Sequence, residues 1–218
     1  MKRIGLLSAA VVAGMLVTAV PALATPAGEA SAGAANFARG NSAPVVIGTL
    51  APCAINPDAA GTVNGGSPAV TKTGVKFGAT TSTCTTTVVN EEEWVTTTKS
   101  EAKGTGFELS ALVAQGGPRL KIGSWRLTCD ATQNGTNAGW ALGGMSGWTG
   151  LPQQIPANYV HEIKKGGTVL AKAKFAEVIL PEPNDGSITM NLIRITFEPA
   201  SGYSGTVSIG SAACSPTP

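Results

Sequence analysis

The chain has 218 residues, a formal net charge of +2 and only 13% charged side chains. Two of its 15 Lys and Arg, Lys2 and Arg3, sit at the extreme N-terminus, and the others equal the 13 Asp and Glu in number. A body so sparsely and evenly charged has no electrostatic footprint for nucleic acid and little for an anionic membrane, which removes both as expected partners.

Residues 1–24 read as a secretory signal peptide: Lys2-Arg3, an apolar run from Ile4 to Val20, then Ala22-Leu23-Ala24 before Thr25. The run is marginal in length for a bilayer span and no basic stop-transfer cluster follows it, so cleavage is expected, with no membrane span afterwards. Residues 25–43 are rich in Ala, Gly and Ser with hardly any large apolar side chain. They are expected to be a flexible segment unable to bury a core. The folded domain is expected over 44–214, with a short tail at 215–218 that carries no anchor signal.

Within that domain strands are expected almost everywhere. Val45-Val46-Ile47 opens the series, and the Pro-, Asn- and Gly-rich stretch 52–68 is expected to be loop. Residues 80–89 are Thr-rich and β-branched, as strands prefer. Phe107, Leu109, Ala111 and Val113 alternate with their neighbours, as do Trp125, Leu127 and Cys129 with Ser124, Arg126 and Thr128. That period of two places the apolar set on an inward face. Residues 159–163 form a strand, with Tyr159, His161 and Ile163 on one side and Glu162 on the other, that Gly166-Gly167 turns into 168–180, where Val169, Ala171, Ala173 and Phe175 share a side. Ile188, Met190 and Leu192 then give way to Ile193, Ile195 and Phe197, a change of phase that an extra residue in a bulge near Leu192 produces. The last strand is 206–214. No stretch beyond the leader shows sustained apolar spacing at three and four residues, so little helix is expected. Nine or ten short strands in one domain read as an all-β, single antiparallel β-sandwich, with a closed β-barrel as the alternative.

Four cysteines, Cys53, Cys84, Cys129 and Cys214, all follow the leader. An even number in an exported chain implies two disulfides. Of the three connectivities, Cys53 with Cys84 and Cys129 with Cys214 is preferred, because the first pair flanks one continuous stretch and Cys214 ends the terminal strand. One His and no C-x-x-C spacing argue against a metal site, and no cofactor is expected.

Few residues suggest catalysis. His161, Asp185 and Ser204, the last within Gly202-Tyr203-Ser204-Gly205, occur in the chain order of a chymotrypsin-type triad. All three crowd into the end of the chain, whereas a two-barrel protease has its histidine in the first half. Glu91-Glu92-Glu93 beside Trp94 could supply paired carboxylates, but adjacent like charges on an extended chain read as a solvated hairpin turn. Asp58, Asp130 and Asp185 lack calcium-loop spacing. Asn134-Gly135-Thr136 has the form of a glycosylation sequon and reads as a turn. Trp140 and Trp148 flank a Gly-rich segment that could hold both indoles on one exposed surface, where a sugar ring would stack.

The C-terminal half resembles a known family. Gly150-Leu151-Pro152, Ile155-Pro156-Ala157-Asn158, Val178-Ile179-Leu180, the run from Asp185-Gly186-Ser187-Ile188-Thr189 through Met190-Asn191-Leu192-Ile193-Arg194-Ile195, and Gly210-Ser211-Ala212-Ala213-Cys214 together look like the actinobacterial choice-of-anchor P family, over residues 107–214. The resemblance implies an exported or surface-displayed β-rich protein without an assigned activity and with no catalytic residues to carry over. The chain departs from the anchored members in showing no anchor.

The expected function is therefore that of an exported, non-enzymatic β-sandwich, secreted and acting at or outside the cell envelope as a structural or interaction protein toward a protein or cell-wall polysaccharide partner. The alternative is a carbohydrate or small-ligand binding module built on Trp140 and Trp148. A secreted hydrolase comes third.

Overall fold

A computed structural model describes residues 27–56 and 60–216. The expected signal peptide and the last two residues of the expected tail lie outside them. Fourteen strands follow one another among the described residues: β1 (Gly28–Arg39), β2 (Val45–Leu50), β3 (Cys53–Ile55), β4 (Gly61–Ser67), β5 (Val70–Lys72), β6 (Val75–Phe77), β7 (Thr80–Asn90), β8 (Val95–Leu109), β9 (Leu120–Thr132), β10 (Gly135–Gly143), β11 (Tyr159–Lys165), β12 (Thr168–Ile179), β13 (Ile188–Phe197) and β14 (Tyr203–Cys214). They form two antiparallel sheets packed face to face, an all-β sandwich and not a closed barrel. The first sheet runs β11-β12-β13-β14-β1-β2, with β3 also beside β1. The second runs β10-β9-β8, and β8 then pairs with β7 over one part of its length and with β6 over another, β4 and β5 lying outside them.

The order of the first sheet is chain order carried across the two ends of the domain. Strand β1 pairs with β14 along its length, from Gly28 opposite Cys214 to Arg39 opposite Tyr203, and the Ser215 N–H donates to the Ala27 carbonyl at 2.9 Å. This corrects the expectation for residues 25–43. Much of that segment is an interior strand, hydrogen-bonded on both sides, and the domain includes it. The physical reason lies across the sandwich. Backbones of β1 and β14 come within 8 Å, Cα to Cα, of β7, β8 and β9, closer than the ~10 Å usual between sheets. Small side chains are what such an approach requires. A Cβ on Gly28 would lie 2.5 Å from the Ser100 hydroxyl, and one on Gly33 would lie 2.7 Å from the Phe77 ring. Ala30, Ala32 and Ala35 are buried, and Phe37 supplies the one bulky inward group.

The core is accordingly uneven. Where the sheets are closest it is lined by Thr86, Thr96, Thr98 and Ser100 against Gly28 and Ala30; the Thr86 and Thr98 hydroxyls pair at 3.2 Å. Elsewhere it is filled by Phe77, Phe107, Leu109, Leu120, Ile122 and Phe175, all under 2% exposed. Both disulfides cross between the sheets, Cys53 on β3 to Cys84 on β7 and Cys129 on β9 to Cys214 on β14, with Cα atoms 5.8 and 5.7 Å apart. The preferred pairing is the one present.

Other local expectations need correction. The stretch 52–68, expected as loop, contains β3, which buries Cys53 and Ile55, and β4, whose Gly and Asn content suits an exposed edge because little side chain is buried there. The alternation through Ala111 and Val113 does not continue β8, which ends at Leu109; Ala111–Gln115 is a 3₁₀ helix closed by Gly116 at φ 75°. The change of phase at Leu192 is real, but it is not an extra residue in one strand. Phe175, Ile193, Ile209 and Gly33 lie in register, and so do Glu177, Asn191, Ser211 and Ser31. Between those rows β1, β12, β13 and β14 all change inward phase together, at Ala32-Gly33, Phe175-Ala176, Leu192-Ile193 and Ile209-Gly210. The sheet bends along this line without losing its pairing to either side. Gly210 at φ 64° and Ala176 at φ 44° take up the turn of the backbone.

Candidate functional site

Strand β10 is the free edge of the second sheet and β11 the free edge of the first. The connection between them, residues 144–158, crosses the flank of the sandwich. It is tied to β9 by a pair of hydrogen bonds between Lys121 and Ser146, at 2.9 and 3.0 Å. This crossing decides where both candidate tryptophans go. Trp140 stands opposite Leu127, so it faces inward from β10 and is half-buried against Leu142, Met145, Leu151 and Ile155 around a hollow of about 480 Å³. Trp148 is half-buried as well. Its indole N–H donates to the Lys121 carbonyl at 3.0 Å, and its ring meets Phe175 edge-on with centroids 5.3 Å apart.

The expectation of two indoles on one exposed surface is therefore corrected. Residues 135–143 are an edge strand whose alternate side chains point inward, and Trp148 is held by a backbone carbonyl and the core. Trp148 is not among the residues lining the hollow beside Trp140. Trp94 is the exposed tryptophan. It lies with Glu91, Glu92 and Glu93 in the turn between β7 and β8, where all four are solvated.

The triad does not assemble. His161 is on β11 and Ser204 on β14, three strands along the sheet, a separation of roughly 14 Å from strand spacing alone. Ser204 is exposed and opposite Ala38. Asp185 accepts from the backbone N–H and the hydroxyl of Ser187, at 2.9 and 2.6 Å, closing its own turn. Among the described residues no cluster of His, Cys, Asp and Glu could hold a metal ion.

What the fold does build around His161 is a hollow of about 600 Å³ running along β11. One wall is β11 itself, including Tyr159, His161, Glu162 and Lys164; Pro118, Gly147 and Thr149 supply the other. His161 is only 8% exposed. Its ring lies near-parallel to Tyr159, at 29° with centroids 6.5 Å apart, and is tilted against Trp148 at 6.2 Å. Neither ring nitrogen has a hydrogen-bond partner among the described residues. Burial pushes the imidazole pKa below its ordinary value, Glu162 opposes that and Lys164 adds to it, so the ring is neutral at pH 7. Glu162 and Lys164 pair at 2.7 Å at the rim and cancel one another's charge.

Several charged groups elsewhere pair on the outer faces. Burial alone would raise the Glu101 carboxyl, but Arg126 and Lys103 hold it below its ordinary value. Glu177 is likewise held low against its burial, by the Asn191 amide at 2.9 Å together with Lys174 and Arg194. These clusters link neighbouring strands.

Sequence reasoning identified His161 as the one imidazole and put it on the same side as Tyr159 and Ile163. It did not identify Pro118 or Thr149 as neighbours, and no local signal in the chain could have done so. Comparison with known proteins yields no match to a family model, a curated protein or a solved structure.

Proposed function

We propose that this protein is exported and works at or outside the cell envelope as a non-enzymatic structural or interaction protein, in keeping with the resemblance of residues 107–214 to the choice-of-anchor P family. The observation that carries the reading is the pair of disulfides crossing the sandwich. Bridges of this kind persist in oxidising compartments and are rare in reducing ones. Residues 1–24 supply the matching export signal. A sandwich in which several charged pairs link neighbouring strands, and whose candidate catalytic residues stand apart, supports a role in holding a surface or meeting a partner.

The test is where the protein accumulates and in what covalent form. Fractionation of the producing cells, followed by non-reducing mass spectrometry, is expected to recover from the medium or wall a chain that begins at Thr25 and carries two disulfides. A full-length chain with free thiols in the cytoplasm overturns the export reading. Purified envelope material is expected to bind the processed protein saturably; a folded protein that fails to bind it, and instead hydrolyses envelope polymers, overturns the non-enzymatic reading.

A further inference from the structure

The hollow along β11 has features that neither sandwich stability nor export explains. His161 is 8% exposed and lines the open hollow, and neither ring nitrogen has a hydrogen bond among the described residues. Neither nitrogen is sealed from solvent, so both are reached through the hollow. An imidazole without a protein partner, with its nitrogens open to solvent at the wall of a cavity, is free to hydrogen-bond whatever enters the cavity.

The remaining lining says what that is. At about 600 Å³ the hollow falls within the roughly 300–1,000 Å³ of small-ligand pockets. Its charges cancel, because Glu162 and Lys164 form an ion pair at 2.7 Å. The imidazole is neutral, so it offers one N–H donor and one lone pair. Tyr159 and Thr149 add hydroxyls that can both donate and accept. Pro118 and the Tyr159 ring supply apolar surface beside them. Neutral, amphoteric hydrogen-bonding groups next to apolar and aromatic walls match a ring that carries hydroxyls at its edge and C–H bonds on its faces.

We propose that the hollow between β11 and the segment carrying Gly147 and Thr149 is a binding site for a neutral pyranose-sized sugar, hydrogen-bonded to His161 and packed against Tyr159. The site differs from the pair Trp140 and Trp148 considered from sequence. Trp148 only contacts the His161 ring, with centroids 6.2 Å apart, and does not line this hollow, and Trp140 lines a different one. The proposal does not depend on export, so each can fail without the other.

The chain contains one His, and its imidazole C–H resonance is therefore a single, unambiguous NMR probe of the site. The processed protein would be titrated with the methyl glycosides of glucose, mannose and galactose, with N-acetylglucosamine, and with glucuronate as a charged counterpart. At least one neutral sugar is expected to move the His161 signal saturably. Calorimetry with the same sugar on His161→Phe, which keeps a ring and loses both nitrogens, is expected to show affinity lower by about tenfold, the worth of one hydrogen bond. Thr149→Val on the facing wall is expected to weaken binding in the same direction. Trp140→Ala is expected to leave it unchanged. Three results would each overturn the assignment: a folded protein whose His161 signal no neutral sugar moves, unchanged affinity in both His161→Phe and Thr149→Val, or tighter binding of glucuronate than of the neutral sugars.

Discussion

Removing the disulfides one at a time by paired alanine substitution should destabilise the sandwich by amounts set by the loops they close. The Cys53 and Cys84 bridge spans 31 residues and the Cys129 and Cys214 bridge spans 85. Loop-closure entropy gives about 3.7 kcal/mol for the first and about 4.6 kcal/mol for the second at 25 °C. Each is a large part of the 5–15 kcal/mol that usually separates a folded domain from its unfolded chain. The longer loop has a second reason to matter: Cys214 stands opposite Gly28, so its bridge also clamps the junction where β14 meets β1 against the second sheet. Guanidinium unfolding, followed by tryptophan fluorescence, would measure both losses; Trp125, 3% exposed, is the most buried of the four tryptophans and reports the sandwich interior. The expected order is a greater loss for Cys129→Ala with Cys214→Ala than for Cys53→Ala with Cys84→Ala. An equal or reversed order, or a loss below about 1 kcal/mol in either variant, would refute the claim that these bridges act chiefly by constraining the unfolded chain.

Gly210→Ala should cost about 1–3 kcal/mol in urea unfolding, because the new methyl enters at φ 64° only 3.1 Å from Leu192 and 3.2 Å from Trp125. Gly166→Ala at φ 56°, with open space around it, should lose less and so isolate the contact from the backbone strain. Trp148→Phe keeps an aromatic ring beside Phe175 but removes one of the two hydrogen bonds that the Lys121 carbonyl accepts, the Ser146 N–H remaining, for an expected loss of about 1 kcal/mol by the same measurement. Stability should fall as pH drops below 6.5, because the unfolded chain binds a proton that buried His161 resists; the fall should level off once the pH passes below the folded pKa, and His161→Gln should abolish it. A second fall is expected below pH 4.5, where the carboxyls of Glu101 and Glu177, held low in the folded state by their cationic neighbours, give up their pairing on protonation. Melting temperature against pH resolves the two windows.

Much of the architecture follows from the sequence through period and composition. The alternation of Trp125, Leu127 and Cys129 puts those side chains in the core, since a strand offers its two faces in strict turn. The turn at Gly166-Gly167 and the phase change at Leu192 were equally legible, the latter as an event within β13. What could not be read there was that three other strands change phase in the same row. Side-chain patterning records where one strand turns over; only lateral pairing reveals that the sheet bends as a unit. The first strand was hidden for a related reason. Its Gly and Ala look uncommitted along the chain and become the best residues available once β7 and β8 lie close across the sandwich.

The hollow beside His161 divides in the same way. The sequence by itself determined that the chain has one imidazole, that it shares a strand face with Tyr159 and Ile163, and that four cysteines make two bridges. It did not determine that residues 144–158 cross the flank and bring Gly147 and Thr149, with Pro118, against that face. Tertiary structure alone settled that, because a β-sheet assembles its neighbours through hydrogen bonds between backbones, and those bonds are blind to the distance along the chain that separates the residues they join.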